Sequence, residues 1–208
     1  MSTELIEQTH RELSSVENSA FNDIKTFESY QRIAKALCTS DLVPKHFREN
    51  MGNTMIAMEM ANRIGANVLA VMQNLHVIHG KPSWSAQFII SAINSCGRFS
   101  PLRFVHGEDS CYCWAYDNRD NEKLVGPTVT IEMAKNEGWL NKNGSKWKTM
   151  PELMLMYRSA SFFGRLYAPD ILMGMQSSEE VIDVYKSERE ISGTVRSVSN
   201  INKNLASI

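Results

Sequence analysis

The stretch Trp147–Arg165, WKTMPELMLMYRSASFFGR, decides how the rest of the chain is read. Thr149-Met-Pro-Glu152 has the form of a T-x-x-E capping box with proline inside the first turn, a common way to start a helix. Leu153, Met156, Ala160, Phe163 and Tyr167 then supply a buried stripe at helical spacing. The helix is expected to run to about Leu166, because Pro169 restricts the residue before it. Arg158 and Arg165 are two turns apart, so they share one face about 10 Å apart along the axis. On one helix alone, two guanidiniums so placed either pair with carboxylates or snorkel to water. The alternative is that they clamp successive phosphates of a nucleic-acid backbone, with Lys146 and Lys148 extending the positive track.

Working outward, the pattern alternates helices with short strands. Helical spacing covers Thr26–Ala36, and Asn53–Ile64 reads as a helix with Asn53 as N-cap and Gly65 just past its end. VLAVMQ is a further short helix. NLHVI-HGKP-SWSA reads as a β-hairpin, and AQFIISAINSCG as a helix that ends at Gly97. RFSPLRFV, CYCWAY and KLVG are rich in strand formers, with DNRDNE as a turn. TVTIEMAKNEG begins as a strand and ends as a short helix stopped by Gly138. The fold class predicted is α+β: one core over residues 26–185 with β-hairpins packed against helices. A mobile acidic arm over 1–25 precedes it, and a polar, disordered tail over 186–208 follows.

The chain has 208 residues, a hydrophobic fraction of 43% and a formal net charge of −1, which by itself points to no polyanion. The distribution says more. From Met1 to Tyr30 six acids face Arg11 and Lys25, and from Ser177 to Glu190 five acids face Lys186 and Arg189. From His76 to Gly107 there is no acid, only Lys81, Arg98 and Arg103 as charges. Between Trp139 and Tyr167 five bases face Glu152 alone. A basic middle with acidic flanks allows a local basic groove despite the neutral total. No apolar run is long enough to cross a membrane and the N-terminus has no secretory pattern, so a cytoplasmic protein with four free thiols is expected.

Three chemical constellations are weaker. Gly80-Lys81 suggests a phosphate loop, but Leu75 stands where the Walker pattern needs glycine and Pro82 follows the lysine, so no ATP site is supported. On a hairpin, Lys81 and Trp84 can instead offer a phosphate contact and a stacking surface. His76, His79, Cys111 and Cys113 match no common zinc spacing. Glu108, Asp109, Asp117, Asp120 and Glu122 raise a metal-dependent nuclease, yet most fall in turns.

Taken together, NLHVIHGKPSWSAQFIISAINSCGRFSPLRF and WKTMPELMLMYRSASFFGRLYAP resemble the phage single-strand annealing proteins of the RecT/lambda Beta family. The first block is similar to a hairpin, helix and SGR-like turn (here Cys96-Gly97-Arg98). The second fits W-x3-P-x6-basic-x6-Arg through Trp147, Pro151, Arg158 and Arg165. Glu152 departs from the basic residue found in lambda Beta-like members, and the C-terminal partner-docking region is short here. The resemblance implies an ATP-independent recombinase, without bond chemistry, that binds single-stranded DNA and yields annealed duplex. It implies a homo-oligomer, ring or filament, with a phage 5'-3' exonuclease and a host single-stranded DNA-binding protein as partners. No cofactor is implied, with magnesium only modulating strand pairing. DNA contacts would come from Arg158, Arg165, Lys148, Lys146, Lys81, Trp84, Arg98 and Arg103. The alternative is a phage structural or regulatory protein of similar fold without annealing activity.

Overall fold

The structure, a computed structural model, describes Ser19 and residues 21–184. Most of the acidic arm and all of the tail expected over 186–208 lie outside the described residues. The α+β class is observed, with helices and antiparallel sheets. Where the sequence suggested one continuous core, the chain packs as two compact units that meet in sequence between Val77 and Ile78.

The first unit is helical. Helix α1 (Ile24–Cys38) starts where the Asp23 carboxylate accepts from the Thr26 amide at 2.8 Å and its hydroxyl at 2.9 Å. After a 3-10 turn (Lys45–Phe47) comes α2 (Met51–Ile64), capped by Asn50 rather than Asn53. The Asn50 side chain accepts from the Asn53 amide, so the expected cap is already inside the first turn. Gly65 closes α2 at φ 65°, a left-handed position that suits glycine. Helix α3 (Val68–Asn74) follows, and Ala34, Met55 and Met58 form the core with Phe27, Tyr30, Leu37 and Val68 around them.

Strand β1 (Leu75–Ile78) runs across the boundary between the units in sequence, and after a turn at His79-Gly80, both at positive φ, the second unit continues with β2 (Lys81–Trp84). The Ser85 hydroxyl then caps α4 (Ala86–Ser95). Strand β3 (Arg103–His106) pairs antiparallel with β4 (Ser110–Tyr116). On the other edge of β4 lie β5 (Lys123–Val125) and β6 (Val129–Thr130), one after the other. Between them the Gly126 amide still reaches the Cys113 carbonyl at 2.8 Å. A Cβ at Gly126 would stand 3.2 Å from both that oxygen and Phe163 Cβ, so the close approach favours glycine. Thr130 caps α5 (Ile131–Asn136), and α6 (Lys146–Thr149) is a single turn.

The opening stretch forms the central helix, α7 (Pro151–Tyr167). Two expectations about it need correction. Thr149 ends α6, and Met150 occupies the N-cap of α7 without a side-chain bond, so the T-x-x-E box does not form. The buried stripe is also much wider than expected. Met154, Leu155, Arg158, Ser159, Ala160, Ser161, Phe163 and Gly164 are all buried, whereas Leu153, Met156 and Tyr167 are only half-buried. One side of α7 lies on the sheet, where Cys111, Cys113 and Ala115 alternate inward along β4. The Cys113 thiol donates to the Ser159 carbonyl at 3.3 Å, and burial pushes it up to about 12, so it stays an unreactive thiol. Another side meets α4. A Cβ at Gly164 would fall 2.7 Å from Leu172 Cδ1 and 3.1 Å from Ile93 Cδ1. Below the helix start, Trp139 and Trp147 lie 5.2 Å apart in a core with Val129, Ala134, Met154 and Leu155.

Phe163, fully buried and edge-on to Phe99, is a keystone of this packing. Phe163→Ala should cost about 3–5 kcal/mol. Leu153→Ala, at a half-buried position, should cost clearly less. Urea unfolding midpoints of the two variants check the ranking.

Candidate functional site

A guanidinium in the interior needs both a counter-charge and a polarisable surface. Arg158 has both. It is 3% exposed, ion-paired with Asp183, and its Cζ sits 3.8 Å from the Trp139 ring centre and 5.6 Å from that of Trp147. Asp183 belongs to the last helix among the described residues, α8 (178–184), and also accepts from Trp147 Nε1 at 3.2 Å. Lys142 Nζ lies 4.0 Å from its other oxygen. Burial draws the Arg158 guanidinium down from its usual range, against the pull of Glu180, Asp183 and Glu179. Burial likewise pushes the Asp183 carboxyl up, opposed by Arg158, Trp147 and Lys142. A guanidinium starts so high that it stays charged at neutral pH. The expectation that Arg158 faces a nucleic-acid backbone is therefore corrected: its charge is spent inside the protein, where no phosphate reaches it.

Arg165 has a different setting. Its side chain is 48% exposed, and it donates to Glu180 Oε1 at 2.8 Å. Glu180 is buried; its other oxygen accepts from the Ser177 amide at 3.0 Å, while the Ser177 hydroxyl accepts from the Glu180 amide at 3.2 Å. That reciprocal pair is a capping box, S-x-x-E, at the start of α8. The pairs Arg158–Asp183 and Arg165–Glu180 run in opposite chain directions, so α7 and α8 are stapled antiparallel.

Beside this staple opens a shallow cleft of about 420 Å³, lined by Lys81, Pro82, Arg165, Gly174, Met175, Gln176 and Val181. Beside it the Trp84 amide of β2 donates to the carbonyl of the lining residue Gln176 at 3.1 Å. Lys81 is exposed and makes no ion pair among the described residues. Two cations predicted 84 residues apart thus meet at one opening, with no carboxylate among the side chains that line it.

The other predicted residues are scattered. Trp84 is fully buried, stacked on Phe88 at 4.4 Å and donating from Nε1 to the Leu172 carbonyl, so it is no stacking surface. Arg98 is paired with Asp170 at 2.8 Å and lies over Phe99. Arg103 is exposed on β3. Lys146 and Lys148 are exposed on either side of the buried Trp147. Among the nuclease candidates, Asp117 forms a fork with Arg119 in the β4–β5 turn, and that hydrogen bonding holds its carboxyl down at about 2. Among the described residues no three His, Cys, Asp or Glu side chains converge as a metal site. Sequence reasoning missed Glu180 and Asp183 as the partners of the two arginines. The signal for the first was present, since Ser177-Ser-Glu-Glu180 is itself a capping-box pattern ahead of Val181 and Ile182.

Arg158→Ala and Asp183→Ala should each destabilise the fold by about 3–5 kcal/mol, because either leaves a buried charge without its hydrogen-bonded partner. Arg165→Ala should cost less, since its head is half in water and the buried Glu180 carboxylate keeps its bond to the Ser177 amide and the nearby Arg158 charge. Chemical denaturation of the three variants checks this, and equal costs for Arg158 and Arg165 would contradict it. Compared with known proteins, the chain matches no family model and no curated protein.

Proposed function

We propose that the protein binds single-stranded DNA and anneals complementary strands without nucleotide hydrolysis. The observation that carries this reading is the convergence of Lys81 and Arg165 on one cleft, where Glu180 takes up only part of the Arg165 guanidinium. Their residues come from the two sequence blocks that resemble the RecT/lambda Beta family. A point-charge ammonium beside a fork-shaped guanidinium is a suitable pair for successive phosphates. Arg165 uses one of its five N–H donors on Glu180 in the free protein, and its exposed side can take a phosphate. Annealing breaks no covalent bond. It requires neutralised backbones with base edges left free to test pairing, which a cleft without a base-reading element suits. Assembly of many copies on one strand, and a partnership with an exonuclease and a single-strand-binding protein, belong to the same reading.

Anisotropy titrations with a labelled oligothymidine at several salt concentrations test it. Binding should weaken as salt rises. Lys81→Ala and Arg165→Ala should each make the slope of log affinity against log salt shallower by about one. Complementary oligonucleotides should anneal in EDTA with no nucleotide present. A protein that binds no single strand at low salt would instead favour the reading as a structural or regulatory protein.

A further inference from the structure

The four-stranded sheet has two unlike faces. Cys111, Cys113 and Ala115 lie under α7, so Tyr112, Trp114 and Tyr116 occupy the opposite face of β4. Cross-strand register adds Arg103 opposite Trp114 and Lys123 opposite Tyr116 on that same face. Val105 and Val125, also outward, are substantially exposed, as is Tyr116. The outward positions of the four strands carry two cations and no carboxylate. Lys123 Nζ stands 4.3 Å from the Trp114 ring centre, and Trp114 meets Tyr116 edge-on at 5.2 Å. These contacts hold the rings in place before any partner arrives.

The geometry points to this outward sheet face as a second DNA contact, where unpaired bases of one strand stack on Tyr112, Trp114 and Tyr116 while Arg103 and Lys123 hold its phosphates. It rests on the annealing reading above and adds a base-binding surface to the phosphate-binding cleft. The Trp114 and Tyr116 ring centres lie 5.2 Å apart and edge-on, wider than the about 3.4 Å rise of bases stacked in a duplex, so the rings do not continue a base stack as parallel neighbours. The face therefore fits unpaired bases that have left one another and lie singly on protein rings, and it does not suit paired DNA, whose base faces are covered. The lack of carboxylates matters as much as the rings, because a polyanion meets no repulsion from the strands themselves.

The protein carries its own reporter. Trp84, Trp139 and Trp147 are buried, and Trp114 is the one tryptophan with partial exposure. Intrinsic fluorescence of the full chain is followed during titration with oligothymidine, with an abasic oligomer of equal length, and with a blunt duplex. Anisotropy of the labelled oligomers is recorded in parallel. Oligothymidine should quench the emission, and the abasic strand and duplex should not. The quench should vanish in Trp114→Phe. Tyr112→Ala/Trp114→Ala, checked by thermal melt, should weaken oligothymidine binding by about tenfold or more while leaving abasic binding nearly unchanged. Lys81→Ala and Arg165→Ala should weaken both to the same degree. Binding by anisotropy with no change at Trp114 overturns the sheet face and spares the annealing reading. No binding of any single strand overturns both. A change in emission on dilution of the protein alone shows the face covered by a second copy and overturns the proposal.

Discussion

The ion pair between Arg158 and Asp183 is the constraint from which the rest of the second unit follows. A charge at the middle of the central helix has no route to water, so a carboxylate must come to it. Asp183 arrives on α8, and its approach determines how α8 lies on α7. Only one placement gives Arg158 its Asp183, Arg165 its Glu180, and Glu180 its bond to the Ser177 amide at once. Shifting α8 by one residue would turn both acids away, since neighbouring helical positions differ by about 100°. The pair contributes register more than net stability, because an apolar pair of the same shape would avoid the desolvation of two ions. Trp139 and Trp147 reduce that penalty by offering ring faces to the cation.

Much of this architecture was legible in the sequence. The helix from Pro151 to Tyr167, the hairpin around His79-Gly80 and the strand CYCWAY each announce themselves by local spacing. What did not show was the outcome of competition between local signals. Thr149-Met-Pro-Glu152 and Ser177-Ser-Glu-Glu180 satisfy the same four-residue pattern, yet only the second caps a helix. Thr149 already ends the one-turn helix that buries Trp147, and tertiary burial of that ring outweighs a capping bond. Asn50 and Asn53 are another such pair, resolved by the Asn53 side chain donating to the His46 carbonyl instead of capping. The burial of Arg158 was illegible for a different reason. Its partner lies 25 residues on, and no helical period links the two.

Trp84 shows the same limit at the candidate site. A tryptophan two residues beyond a turn proline reads equally as a stacking platform or a core residue. The choice falls to the core because Leu172, 88 residues away, offers its carbonyl to the indole N–H. Conversely, the aromatics of β4 were read only as strand formers. Their alternation with Cys111, Cys113 and Ala115 already implied two faces, but which face would be covered depended on α7.

Among the described residues of the acidic flank that begins at Ser177, the carboxylates of Glu180 and Asp183 act within the chain. Asp183 takes up Arg158 and draws Lys142, and Glu180 takes up Arg165 in part, so three of the five bases between Trp139 and Tyr167 are engaged by α8. The basic middle inferred from composition therefore narrows to a few free cations, Lys81, Lys146 and Lys148 among them, plus the open side of Arg165. On the annealing reading this has a consequence for affinity. A single copy neutralises few phosphates, and few contacts give a weak, shallow-sloped association with a strand. Tight binding must then come from several copies on one DNA molecule, each weak contact raised by the effective concentration its neighbours create. Such an arrangement also suits the chemistry of annealing. Contacts that are individually weak let one strand shift register against its complement, whereas one tight site per copy would hold mismatched strands as firmly as matched ones.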